Sequence, residues 1–146
     1  MAMLITPNLP EMEALTELPL STYEEKEKAA KYLLDGGAKA ILLKGGHEEG
    51  DIKTDILFTP SVNGIQSSLF SSESIPTRNI HGTGCTLSSA ITAYLARGYK
   101  LEEAITAAKK YITEAIRSGA DIEIGQGFGP VNHGFNPLKM QVYVNP

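Results

Sequence analysis

Four consecutive residues, Gly82-Thr83-Gly84-Cys85, carry the residue types best suited to chemistry in this chain. The two glycines leave backbone N–H groups free to converge. From Thr86 onward Leu87, Ala90, Ile91, Tyr94 and Leu95 fall at the spacing of one helix face, with Gly98 placed as a left-handed stop. A glycine turn that opens a helix is an anion site, because the unpaired amides of the first turn carry roughly half an elementary positive charge. Such a site suits a phosphate, or charge developing on a transferred phosphoryl group. Cys85 is the only cysteine, and a helix N-terminus favours a thiolate, which gives this residue the chemistry of a base or nucleophile. The same four residues also read as a plain tight turn followed by a small core cysteine.

Two further groups have spacing that could serve phosphate chemistry. In Asn8-Leu9-Pro10-Glu11, Asn8 caps a short helix and Glu11 complements its dipole, or the pair holds a hydrated Mg²⁺, an ion that takes few protein oxygens. Lys44 follows the apolar run Ala40-Ile41-Leu42-Leu43, which reads as a parallel strand covered on both faces. Followed by Gly45-Gly46-His47, Lys44 either reaches a nucleotide phosphate at the strand's C-terminal end, where α/β sheets bind ligands, or is a surface lysine beside a turn. His47 reads as an exposed loop residue. Lys109 and Lys110 flank the apolar stripe of a later helix, where lysines ordinarily snorkel to solvent.

The elements that must position these residues are legible in outline. Met3-Leu4-Ile5-Thr6 predicts a short buried strand. Thr22-Tyr23-Glu24-Glu25 is a capping box for a helix with Tyr23, Ala30, Leu33 and Leu34 inward, ended by Gly36-Gly37. Asp55 to Thr59 and Ile65 to Phe70 flank Asn63-Gly64, which predicts a hairpin of two or more loop residues extending the sheet antiparallel. Ile75 to Ile80 returns the chain, through Pro76, to the glycine turn. A second amphipathic helix then carries Leu101, Ala104, Ile105, Ala108, Ile112, Ala115 and Ile116 on one face, with Glu102 and Glu103 first and Arg117 last. The two adjacent helices are expected to cover one sheet face. Residues 125–146, rich in glycine and proline, predict a loop-rich tail: a loose end, a linker or a segment folding over the site.

At 146 residues the chain is one domain's worth. A net charge of -4 without a basic face argues against nucleic acid as a partner. One cysteine forms no intrachain disulfide, no apolar run is long enough for a bilayer, and the first residues lack a signal peptide's pattern, so a soluble, cytoplasmic setting is expected.

Five segments occur in the order seen in the hydroxymethylpyrimidine and phosphomethylpyrimidine kinases of thiamine biosynthesis. They are Thr6-Pro7-Asn8-Leu9-Pro10-Glu11, Leu43-Lys44-Gly45-Gly46-His47, Asp55-Ile56-Leu57, His81-Gly82-Thr83-Gly84-Cys85-Thr86-Leu87-Ser88-Ser89-Ala90 and Gly129-Pro130-Val131-Asn132-His133. The chain thus resembles a ribokinase-like kinase. The resemblance implies an α/β, three-layer αβα fold and transfer of a phosphoryl group from ATP with Mg²⁺ to a small-molecule pyrimidine, first at its hydroxymethyl group and then at the monophosphate. It implies Gly82, Thr83, Gly84 and Cys85 as the anion hole, with Cys85 where other superfamily members place a catalytic aspartate. Asn8 and Glu11 match an Asn-x-x-Glu pattern tied to Mg²⁺ and phosphate, while Lys44 and Lys109 fall at nucleotide-contacting lysines. Chains of that family are much longer. Residues 1–146 are therefore expected to be the C-terminal, nucleotide-side part of a single kinase domain truncated at the N-terminus, leaving an open sheet edge that implies a homo-oligomer or a partner supplying the N-terminal half. A pyridoxal kinase on the same scaffold, or a non-catalytic remnant binding nucleotide or a partner chain, are the competing readings.

Overall fold

The computed structural model describes residues 2–45 and 50–137, so Gly46 and His47 of the lysine motif and the end of the tail lie outside the described residues. The chain divides into two compact units, Met1–Ser74 and Ile75–Pro146.

In the first unit, α1 (Leu9–Thr16) and α2 (Tyr23–Asp35) pack with a three-stranded sheet of β1 (Ile41–Leu43), β2 (Ile52–Ser61) and β3 (Gly64–Glu73). Both helices start on complete capping boxes. Thr22 Oγ1 accepts from the Glu25 amide at 3.2 Å while Glu25 Oε2 accepts from the Thr22 amide at 3.0 Å. Past the end of α2, Gly37 takes φ 104°, and the Ala38 amide donates back to the Leu33 carbonyl, so the paired glycines stop the helix as the sequence predicts. Met12, Leu20, Ala29, Ala30, Ile41, Leu43, Ile56 and Phe58 form the core. Tyr23 departs from its expected inward position: it is 43% exposed, laying its ring against Phe58 while its hydroxyl shares a hydrogen bond with Ser67. A tyrosine in a first turn can do both, because its body is apolar and its tip polar.

The apolar run of β1 is indeed dry on both faces, with Leu42 as buried as Ile41 and Leu43. Its pairing is not parallel throughout. β1 runs antiparallel to β2, in register Leu42 with Leu57, and only its other edge makes parallel bridges, Ile5 with Ile41 and Asn8 with Lys44. The expected strand at Met3–Thr6 reduces to the single bridge at Ile5, because Pro7 interrupts the donor row, and Met3 is exposed where burial is expected. The hairpin is tighter than the sequence required: Ser61 pairs with Gly64, leaving Val62 and Asn63 as a two-residue loop, and Gly64 opens β3 at φ 122°.

The second unit holds α3 (Thr83–Ala96), α4 (Leu101–Gly119) and the segment that follows them. The stripe of α4 lies as predicted, with Ala104, Ile105, Ala108, Ile112 and Ala115 buried; Lys109 joins them at 8% exposure instead of snorkelling. α3 begins three residues earlier than its apolar periodicity, so Gly84 and Cys85 stand inside its first turn and only Gly82 remains as the turn. Leu87 and Ile91 are its buried residues. Gly98 at φ 87° ends it, with the Tyr99 amide donating to the Tyr94 carbonyl. Among the described residues, no helix is long and apolar enough to cross a membrane.

Candidate active-site elements: an anion-binding turn and a lysine loop

Gly82 is the N-cap of α3 in the left-handed region at φ 86°, a conformation glycine adopts without strain. No side chain caps the helix. Thr83, the first helical residue, sends both its amide and its hydroxyl to the Ile80 carbonyl, at 3.2 and 2.7 Å, and the Thr86 amide closes the first helical bond to Gly82 at 2.9 Å. Between them the amides of Gly84 and Cys85 have no acceptor among the described residues. Uncapped amides at the head of a 14-residue helix are a site for negative charge. Cys85 is exposed beside them. A cleft of about 850 Å³ runs from Cys85 along α3 past Ser89 and Arg97, with Lys110 of α4 and His133 of the following segment on its wall. The Arg97 guanidinium lies over both the Tyr94 and Tyr99 rings, 5.6 and 5.7 Å from their centres, and the two rings meet edge to face at 5.1 Å. Gly82, Thr83, Gly84 and Cys85 thus form the N-cap and first turn of α3.

Among the described residues, the tail is pinned at 129–132. The His81 amide donates to the Gly129 carbonyl at 3.1 Å, the Val131 amide returns to the His81 carbonyl at 3.4 Å, and the Asn132 amide reaches Ala115 at 3.0 Å. Val131 is buried. Behind this bridge lies Asn79, 7% exposed, whose Nδ2 donates to the carbonyls of Gly119 and Ile122 at 2.6 Å each. Reasoning from residue types missed Asn79 as an organising residue. The only trace it leaves in sequence is a polar side chain three residues before a helix-opening glycine.

In the first unit, Asn8, Glu11 and Lys44 come together. Asn8 Oδ1 accepts from the Glu11 amide and Glu11 Oε2 from the Asn8 amide, both at 2.8 Å, and the same Oε2 lies 3.8 Å from Lys44 Nζ. The capping alternative is thus realised. Lys44 has only 17% of its side chain exposed, so it is not a free surface lysine. The loop after it is held by Asp55, buried at 5%, whose Oδ1 accepts from the Gly45 amide at 2.9 Å. A side chain at Gly45 would place its Cβ 2.0 Å from the Thr54 carbonyl oxygen, so this close approach needs glycine. For a divalent cation the fit is of one kind. Among the described residues no three acidic, His or Cys side chains form a cage, but Glu11 keeps Oε1 outside the cap on a half-exposed carboxylate. One carboxylate plus waters and substrate phosphates is the donor set Mg²⁺ uses. Lys109 stands apart from these residues in sequence and element, buried on α4.

Solved structures similar to this chain are ribokinase-like kinases. Staphylococcus aureus pyridoxal kinase in complex with AMP-PCP matches at a TM-score of 0.82 and 33% identity, covering 94% of this chain and 50% of that one. Bacillus subtilis pyridoxal kinase in its ADP complex matches at 0.78 and 36%, covering 90% and 48%. Within that class the family model for phosphomethylpyrimidine kinase matches residues 1–132, and the chain belongs to this family. The thiamine biosynthesis bifunctional protein of Geobacter sulfurreducens is 48% identical over 133 residues, 91% of this chain and 26% of that protein. A hydroxymethylpyrimidine/phosphomethylpyrimidine kinase of Staphylococcus aureus is 44% identical over 143 residues, 97% and 49%. The chain spans about half the length of that kinase.

Proposed function

We propose that this chain carries the phosphate-handling part of an ATP-dependent kinase that phosphorylates hydroxymethylpyrimidine and its monophosphate in thiamine biosynthesis, in the cytoplasm. The observation that carries the reading is the uncapped turn at Gly82, with the amides of Gly84 and Cys85 unopposed beside an exposed thiol. Phosphoryl transfer asks little covalent chemistry of a protein; it asks for aligned donors where charge develops and for a positioned base. In this reading the turn Gly82-Thr83-Gly84-Cys85 receives the charge on the transferred group, through the amides of Gly84 and Cys85, while Thr83 holds the turn by its bonds to the Ile80 carbonyl. The Cys85 sulfur takes the proton of the substrate hydroxyl as its oxygen forms the new bond to the γ-phosphorus, and the bond from that phosphorus to the β-γ bridging oxygen breaks to release ADP. Lys44 and Lys109 are assigned to the nucleotide. Asn8 and Glu11 are assigned to Mg²⁺, Asn8 by fixing Glu11 through the cap. When bound, that ion would neutralise phosphate charge.

The pyrimidine pocket is assigned to a complementary half of the kinase fold, in accord with the chain's share of its relatives' length, or to a second copy of the chain. Pyridoxal phosphorylation is the second reading. It is favoured by one observation, the higher TM-scores to pyridoxal kinases than the 0.62 to a phosphomethylpyrimidine kinase from Clostridium difficile. Relative rates on pyridoxal and on hydroxymethylpyrimidine phosphate, once the complementary half is supplied, separate the two.

The first test is thermal unfolding of the chain with ATP, with and without Mg²⁺. Ligand at about one hundred times its dissociation constant adds roughly 2.7 kcal/mol to stability. A Mg²⁺-dependent rise is expected; stability unmoved by ATP at any concentration would sink the nucleotide assignment for this chain. Cys85→Ala should keep the rise while abolishing transfer in the complemented enzyme.

A further inference from the structure

The turn at Gly82 has no cap of its own, so something else must hold its amides in place. Three backbone carbonyls, those of Gly119, Ala120 and Ile122, converge on Asn79 Nδ2 at 2.6, 3.5 and 2.6 Å, and this ring of acceptors fixes the amide with its nitrogen toward them. On the other side, Asn79 Oδ1 presses on Gly129 so closely that a Cβ there would stand 2.0 Å from it. Thr77 completes the arrangement, its hydroxyl donating to the Ala120 carbonyl and accepting from the Asn79 amide. One buried side chain therefore ties the end of α4 and the Gly129 segment to the stretch that delivers His81 and Gly82.

We propose that Asn79 is a positioning residue for the turn. Its carboxamide seats Gly129 so that the Gly129–Val131 segment pairs with His81, and that pairing sets the direction in which the Gly84 and Cys85 amides point. The inference rests on reading the turn as the phosphate site only for its purpose, not for its geometry. A polar clamp buried at 7% is worth keeping where a small displacement of donors matters.

The single cysteine provides a readout inside the turn. The rate of Cys85 alkylation by iodoacetamide is measured in the wild type, in Asn79→Ala and in Ile112→Val, at a temperature where all three are folded by circular dichroism. Ile112 is buried on α4 and makes no part of the clamp, so its truncation lowers stability without touching the turn. The Asn79→Ala rate is expected to differ from wild type by about threefold or more, since thiol reactivity follows its immediate donors and access. The Ile112→Val rate is expected to stay within about 1.5-fold. A folded Asn79→Ala protein with the wild-type rate overturns the proposal, as does an equal change in Ile112→Val. If Asn79→Ala does not fold, Gly129→Ala carries the same expectation, because its Cβ displaces the carboxamide. Protection of wild-type Cys85 by ATP is a separate readout: its absence removes the phosphate reading, while the ligand-free rates still decide the clamp.

Discussion

In the first unit the cap at Asn8 and the loop after Lys44 are held over short stretches of chain, while the Lys44–Glu11 pair reaches further. Asn8 and Glu11 cap each other across three positions, and Asp55 reaches Gly45 across ten. In the second unit the corresponding work is done by Asn79, whose partners lie 40 and 43 positions further on. The contrast teaches what each arrangement withstands. A capping box belongs to the helix it starts and forms with it, so its loss is confined to one turn. A long-range clamp forms only when distant segments are already folded onto one another, and its loss removes the hydrogen bonds that tie those segments together.

The comparison can be broken at several depths by urea denaturation of single variants. Phe58→Ala empties the centre of the first unit's core, where the ring is fully buried, and should cost about 3–5 kcal/mol. A cost near 1 kcal/mol would mean that this unit is held by its caps instead of its core. Asn79→Ala should cost about 2 kcal/mol, the loss of a buried side chain's hydrogen bonds to the Gly119 and Ile122 carbonyls. Asn8→Ala, by contrast, should cost about 1 kcal/mol, the ordinary worth of an N-cap. If the last two losses prove equal, sequence distance has no bearing on how the units are secured. The smallest effect belongs to Lys31→Ala, which removes an exposed i,i+4 pair with Asp35 and should change stability by less than about 0.5 kcal/mol. A larger loss would show that surface pairing on α2 contributes more than its exposure permits.

Much of this was legible before any coordinates, for reasons that differ between elements. The capping boxes at Asn8 and Thr22, the glycine stops at Gly37 and Gly98 and the stripe of α4 all appeared where residue types put them. Where reading failed, a contact beyond the local pattern had overruled it. α3 starts at Thr83 because Thr83 bonds back to Ile80, a link that apolar periodicity does not register. The hairpin turned on Val62-Asn63 because the cross-strand register, set over ten pairs, placed Gly64 in the strand. Lys109 is buried although its neighbour Lys110 is exposed, since consecutive residues stand about 100° apart around a helix and only one of the pair faces the covered flank.

By itself the sequence determined the starts of α1, α2 and α4, the glycine stops, the amphipathic face of α4, the glycine turn before α3 and the order of motifs that mark the family. These rest on partners within a turn or two, and residue type together with spacing specifies such contacts. Only the tertiary structure decided that Asn79 and Gly129 back the anion turn, that Asp55 holds the loop after Lys44, and that the Gly129–Asn132 segment is pinned against His81 and Ala115. Those contacts depend on which distant carbonyls a buried amide or carboxylate finds once the core has closed, and no local pattern of residue types encodes that choice.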